Sequence, residues 1–192
     1  MLFNILFVLL AFFCGSLPLA LWLGKIFVRR DIRQVGDGNP GATNLLKAGG
    51  MVWGAVGYAL EFAKGALPVV LAQQAGIHSG GWLVAIAIAP SLGHAYSPFL
   101  GFRGGKALAT MLGAWIGLTL WRVPLVIIPT LLLLHGWLKP DGWVVLFTCA
   151  AVAIYLWVSA SEASLWGVLA CQTALVVVRH WSEITHPPQR KR

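Results

Sequence analysis

Charge is scarce in this chain of 192 residues: Asp, Glu, Lys and Arg together make up 10%. Hydrophobic residues make up 58%, and the mean hydropathy is +0.79. Such a composition excludes a soluble domain and points to an integral membrane protein. Cysteine is scarce too. Cys14, Cys149 and Cys171 all fall within apolar stretches, with neither zinc-ligand nor Cys-x-x-Cys spacing, so they read as packed apolar residues, with no disulfide and no metal site indicated. No polar stretch is long enough to fold alone and no internal repeat is found, so residues 1–192 read as a single domain. Without a soluble basic domain, the net charge of +8 does not indicate nucleic acid, because the basic residues border apolar segments instead. The first apolar stretch begins at Met1 with neither a basic lead-in nor a small-residue cleavage site, and so reads as a retained span rather than a signal peptide.

What the chain does have is apolar length. A membrane-crossing helix needs about 20 mostly apolar residues. Candidate spans cover 2–23, 51–73, 81–99, 106–121, 124–138, 143–158 and 164–178. They predict an all-α polytopic fold with about seven transmembrane helices. Several are short, so some helices are expected to be broken. Basic residues set the orientation: Lys25, Arg29, Arg30, Arg33 and Lys47 follow the first span, Arg103 and Lys106 the third, Lys139 the fifth, and Arg179, Arg190, Lys191 and Arg192 the last. With seven crossings these fall on one side, leaving Arg122 on the other. The positive-inside rule then puts the N-terminus outside and the C-terminus in the cytoplasm. Gly15-Ser16-Leu17-Pro18 predicts a kink in the first span. Gly113 and Gly117 form a small-xxx-small pair, read first as packing within the molecule. The tail from His186 reads as a frayed polar end near anionic head groups.

Two glycine-rich polar stretches interrupt this apolar chain: GDGNPGATN at 36–44 and GHAYSPFLGFRGGKALAT at 93–110. Glycine lets backbone N–H groups crowd around an oxyanion, and a nearby Lys supplies charge. The first stretch formally matches G-x-G-x-x-G, but a helical span precedes and another follows it, so the βαβ setting of dinucleotide binding is missing. The residues around Gly41, with Thr43 and Asn44, are candidates to face an anion; a plain connection between spans is the alternative. In the second stretch Gly104-Gly105-Lys106 leads into a span, where helix N-terminal amides and a lysine suit an oxyanion. Ala107 replaces the Ser or Thr of a Walker loop.

The remaining candidates are ionisable groups at span ends or inside spans. His94 and His180 end the third and seventh spans on the side of the glycine loops. Glu61 and Lys64 stand at i, i+3 within a span, where ionisable groups are costly. They read either as a structural ion pair or, with His94, as the lining of a cavity.

At these residues the chain resembles the bacterial acyl-phosphate-dependent glycerol-3-phosphate acyltransferases, over nearly its whole length. The resemblance rests on GDGNPGATN, with Gly15-Ser16 upstream and Glu61-Phe-Ala-Lys64-Gly65 downstream, on GHAYSPFLGFRGGKALAT, and on Arg179-His180. It implies a seven-span inner-membrane enzyme with its active site on the cytoplasmic side, in phospholipid synthesis. Such an enzyme moves a fatty acyl group from acyl phosphate to the 1-hydroxyl of glycerol 3-phosphate, giving lysophosphatidic acid and phosphate. No cofactor, metal, nucleic acid or obligate protein partner is implied; membrane lipids surround the protein. The His-x-x-x-x-Asp motif of acyl-CoA-dependent acyltransferases occurs at none of the five histidines.

The resemblance implies that Gly38, Asn39, Gly41, Thr43 and Asn44 cradle the acyl-phosphate head. It implies that Lys47, Lys106 and His180 hold the acceptor phosphate, with Lys106 and His180 the catalytic candidates. Three positions depart from the family pattern: Asp37 stands where Ser is usual, Glu183 where Asn is usual, and 139–142 lacks an expected Ser. Asp37 and Glu183 motivate one rival, a paralogue acylating another polar or phosphorylated alcohol; the polar glycine loops at membrane edges motivate a second, a non-enzymatic lipid-phosphate binder or transporter.

Overall fold

The computed structural model describes residues 1–190, so Lys191 and Arg192, counted above with the basic residues after the last span, lie outside the described residues. The fold is a bundle of helices. They are α1 (Leu2–Ser16), α2 (Leu19–Leu23), α3 (Ala42–Gln74), α4 (Gly80–Ala95), α5 (Leu108–Thr119), α6 (Pro124–Trp137), α7 (Asp141–Val158), α8 (Ala163–Arg179) and the short α9 (Trp181–Ile184). The first span is broken where Gly15-Ser16-Leu17-Pro18 predicts: Leu17 is extended and the helix resumes at Leu19, because proline disfavours helical backbone in the residue before it. A π-helical turn over Gly24–Val28 continues it. In α3, Gly50 (φ 80°, ψ −175°) interrupts the helical geometry, so a short helix carrying Lys47 meets the long apolar one at a corner.

Among the described residues, four segments are long and apolar enough to cross a membrane: Leu2–Val28, Ala42–Gln74, Gly80–Leu100 and Asp141–Val158. α5, α6 and α8 are apolar but shorter, and the 12 residues of α5 rise only about 18 Å against a hydrocarbon core of about 30 Å. α5 therefore starts later than expected, at Leu108 rather than 106, with Ala107 left-handed before it. This multi-pass membrane fold turns large apolar side chains outward, among them Leu10, Leu67, Leu132, Leu133 and Trp157. Cys171 is also exposed, against the expectation of a packed residue, while Cys14 and Cys149 are half-buried.

Inside, Val69, Leu83, Trp115, Ile127, Leu156 and Val168 form one cluster that draws on α3 to α8. The small-residue pair serves packing within the chain. A Cβ on Gly113 would meet the Phe62 carbonyl, and one on Gly65 the Thr110 carbonyl, so α3 and α5 touch backbone to backbone. The C-terminal end departs from the expected frayed tail. Gln189–Arg190 (β2) pairs antiparallel with Leu138–Lys139 (β1), and the Arg190 guanidinium lies 4.9 Å from the Trp137 ring centre. Ladder hydrogen bonds and a cation–π contact order this segment.

Candidate active site

The two glycine loops and the end of α8 meet at one cavity of about 900 Å³. From the first loop, Asn39, Gly41, Thr43 and Asn44 line it, followed by Lys47. From elsewhere come Glu61, His94, Lys106 and His180. Asp37 and Glu183, two of the departures noted above, line it as well. Below this polar mouth the same cavity continues between α5, α6, α7 and α8 as an apolar arm, walled by Met111, Leu131, Val145, Val152 and Leu169 among others.

The first loop owes its shape to Asp37. Its Oδ1 accepts from the Asn39 N–H (3.2 Å) and from Asn44 Nδ2 (3.0 Å), and Asn44 Nδ2 also reaches the Asn39 carbonyl (2.9 Å). Gly36 and Gly38 supply left-handed backbone (φ 63° and 76°) on either side. Gly38, expected in the phosphate cradle, is not among the lining residues; its N–H is spent on the Val35 carbonyl at 3.3 Å. The donors left for an anion are the first amides of α3, at Ala42 and Thr43, which have no carbonyl one turn back.

The second loop is also closed onto protein. Gly104 N–H donates to the Ala95 carbonyl and Gly105 N–H to the His94 carbonyl, both at 3.1 Å, so these amides do not face an anion. Gly104 is needed for close approach, since a Cβ there would strike the backbone of His94 and Ala95. Arg179 Nη2 donates to the Gly104 carbonyl (2.7 Å) and pins this loop to the end of α8. The first turn of α5 is thus displaced from Lys106, whose own ammonium is the loop's contribution to the site.

Lys106 is held by both acidic departures. Its Nζ lies 2.7 Å from Glu183 Oε1 and 3.1 Å from Asp37 Oδ2. Glu183 Oε2 in turn accepts the Gly142 N–H at 2.8 Å. The three departures from the family pattern therefore form one connected network, Asp37–Lys106–Glu183–Gly142. Burial acts against the charge on Lys106, but its two carboxylate partners outweigh it and raise its pKa. Burial likewise pushes the carboxyls up, yet hydrogen bonds from Lys106 and from backbone N–H groups leave Asp37 and Glu183 below their ordinary values. Lys47, by contrast, lines the cavity with no carboxylate paired to it among the described residues.

His180 is fully buried at the cavity wall. Its Nδ1 sits 3.1 Å from the Val176 carbonyl, which can only accept, so Nδ1 carries the hydrogen and Nε2 the lone pair. Nε2 has no hydrogen-bond partner among the described residues. Burial is the leading influence on the ring and lowers its pKa, which keeps it neutral near pH 7.

Behind the mouth, Glu61 Oε2 binds Lys64 Nζ (2.8 Å), His94 Nδ1 (2.9 Å) and the Thr110 hydroxyl (3.1 Å). Lys64, expected among the lining residues, is not one of them: its ammonium is taken up by Glu61 and the Leu17 carbonyl at 2.9 Å, at the break in the first span. Glu61 and His94 line the cavity, so the structural ion pair and the cavity wall are one cluster. Sequence reasoning missed Tyr58, which bonds the Thr43 hydroxyl at 2.7 Å, and Gln172, a lone amide in an apolar span that could have been noticed as such.

In a helical membrane bundle, a polar mouth with cationic and amide donors above an apolar arm suits an amphiphile with a charged head. Residues 5–187 match the family described as Glycerol-3-phosphate acyltransferase. The chain is 36% identical over 185 residues to the glycerol-3-phosphate acyltransferase of Listeria welshimeri serovar 6b, covering 94% of this chain and 91% of that relative. It is similar to the crystal structure of PlsY (YgiH), an integral membrane glycerol 3-phosphate acyltransferase, in its glycerol 3-phosphate form, with a TM-score of 0.85 at 28% identity over 95% of this chain and 90% of that one. The lysophosphatidic acid form gives 0.84 at 26%, with the same coverage. The chain belongs to the glycerol-3-phosphate acyltransferase family.

Proposed function

We propose that this protein transfers a fatty acyl group from acyl phosphate to the 1-hydroxyl of glycerol 3-phosphate, as one domain of seven crossings in the bacterial inner membrane. The N-terminus is outside, and the site opens to the cytoplasm, where the basic loops gather. Acylation of glycerol 3-phosphate follows from family membership. The observation that carries it is the continuity of one cavity from phosphate-suited loops to an apolar arm. An acyl phosphate needs both at once.

In this reading Asn39, Thr43, Asn44 and the first amides of α3 receive the donor phosphate, and the tail enters the arm. Lys47 and Lys106 draw in the acceptor phosphate. The acceptor oxygen attacks the acyl carbon; the new C–O ester bond forms as the bond from carbon to the phosphate oxygen breaks. The hydroxyl proton passes to His180 Nε2, a buried lone pair with no partner among the described residues that the incoming hydroxyl has to uncover, and then to the departing phosphate, which restores the neutral ring. Acyl phosphate is already activated, so orientation and charge stabilisation supply most of the acceleration. The carboxylates of Asp37 and Glu183 are engaged by Lys106, which removes the motive for an acceptor of different chemistry.

The test is phosphate release from palmitoyl phosphate by the purified protein. Release that depends on glycerol 3-phosphate and is abolished by Asn39→Ala and Lys106→Ala, both still folded, is expected. Full rates in both variants sink the site assignment, and flux of phosphate across proteoliposomes without acyl transfer favours a transporter.

A further inference from the structure

The apolar arm holds one group that the acyl-transfer reading does not use. Gln172 is 4% exposed and lines the arm. On α8 it shares a face with Leu169, Val176 and His180, all of which line the cavity, and it stands about 12 Å along the helix axis from His180. Its Oε1 accepts from the Trp115 indole at 2.8 Å. Indole only donates, so the amide orientation is fixed and the NH₂ end is left over. That Nε2 has no hydrogen-bond partner among the described residues. Thr148 also lines the arm; its hydroxyl donates to the Val144 carbonyl at 2.8 Å, which leaves its oxygen able to accept.

Gln172 Nε2 is already shielded from water with the arm empty, and a saturated chain offers it no acceptor, so the unpaired N–H stays unfavourable. An oxygen carried on the chain at that depth satisfies it. Resting on the acyl-phosphate reading, we infer that Gln172 is a specificity-determining residue for the donor. It selects acyl chains that bear a hydroxyl or keto oxygen partway along the tail over saturated chains of the same length. A hydroxyl fits both neighbours, accepting from Gln172 Nε2 and donating to an acceptor such as Thr148.

The experiment compares acyl phosphates of one chain length, saturated or hydroxylated at successive carbons, in the acyl-transfer assay with glycerol 3-phosphate. In the wild type, one hydroxyl position exceeds the saturated donor in kcat/KM by about fivefold or more. Gln172→Leu removes that advantage. Because this variant strands the Trp115 N–H, Trp115→Phe/Gln172→Leu is measured beside it; removing both partners keeps the packing satisfied, and the same loss of preference is expected. Transfer with no preferred hydroxyl position, or a preference that survives in both variants, overturns the inference while leaving the acyl-phosphate reading intact. Failure of every acyl phosphate to react overturns both.

Discussion

Lys106 and Glu183, 77 positions apart in the chain, meet at 2.7 Å at the mouth of the cavity. Asp37 completes the grip at 3.1 Å. A lysine that reads in sequence as a free cation for phosphate is already half-enclosed by two carboxylates. The arrangement keeps Lys106 charged and in position, and sets two negative oxygens beside any phosphate that approaches it. Under the proposed function, a substrate phosphate that reaches Lys106 exchanges one set of oxygens for another.

Glu183→Gln tests that exchange. The amide oxygen still accepts from Gly142 N–H, so the loop stays tied, but one negative charge leaves the mouth. Lys106 and Glu183 are each about a quarter exposed, which limits the effect to the range of a partly screened pair, about 1 kcal/mol. KM for glycerol 3-phosphate should fall about fivefold with little change in kcat. A rise in KM means that Glu183 serves the acceptor directly.

Lys106→Ala strands Asp37 and Glu183 together, next to a bound phosphate. Loss of about 100-fold or more in kcat/KM is expected, since both the attraction and the neutralisation go. Part of that loss comes from the stranded carboxylates, so Lys106→Ala/Glu183→Gln should recover a measurable fraction. A double-mutant cycle on kcat/KM gives the coupling, and additive losses contradict the network.

The two loops were legible in the sequence because glycine, asparagine and lysine are out of place in so apolar a chain. The break at Pro18 and the packing of Gly113 were legible for local reasons, a restricted backbone and a missing side chain. Lys106's partners were not, because Asp37 and Glu183 reach it only through the bundle. Nor could spacing say that Gly38's N–H is spent on Val35, which depends on how the turn closes. Gly104-Gly105 looked like an open anion nest for the same reason, whereas their amides close on the end of α4. Helix lengths were misjudged where hydropathy runs smoothly across a backbone break, as at Ala107.

The Glu61–Lys64 pair is almost wholly buried, at 1% and 3% exposure; His94 and Thr110 gather with Lys64 on Glu61 Oε2, the Leu17 carbonyl takes a second Lys64 hydrogen, and Glu61 Oε1 has no partner among the described residues. Removing one partner leaves a buried charge. Lys64→Met should destabilise the protein by about 3–5 kcal/mol, read as a drop in the thermal midpoint in detergent. Glu61→Gln/Lys64→Met removes both charges and should be milder. Equal losses in the single and double variants contradict a paired core charge.

His180 gives the pH dependence. Its folded pKa is depressed by burial, so the folded state binds its proton less readily than the unfolded chain. The sign follows: neutral His180 favours folding above its ordinary pKa of about 6.5, and that contribution is lost as pH falls below it. The proposed use as a base runs the same way, because the Nε2 lone pair vanishes on protonation. The acid limb of kcat/KM should therefore lie below about pH 6.5, with full activity at pH 7. His180→Asn keeps a side chain of polar character near Val176 but offers no comparable base, and should lower kcat by 10²–10⁴. If kcat holds in that variant, the proton goes straight to the departing phosphate and His180 only shapes the wall. An acid limb that stays put in His180→Asn assigns it to the phosphate oxygens instead.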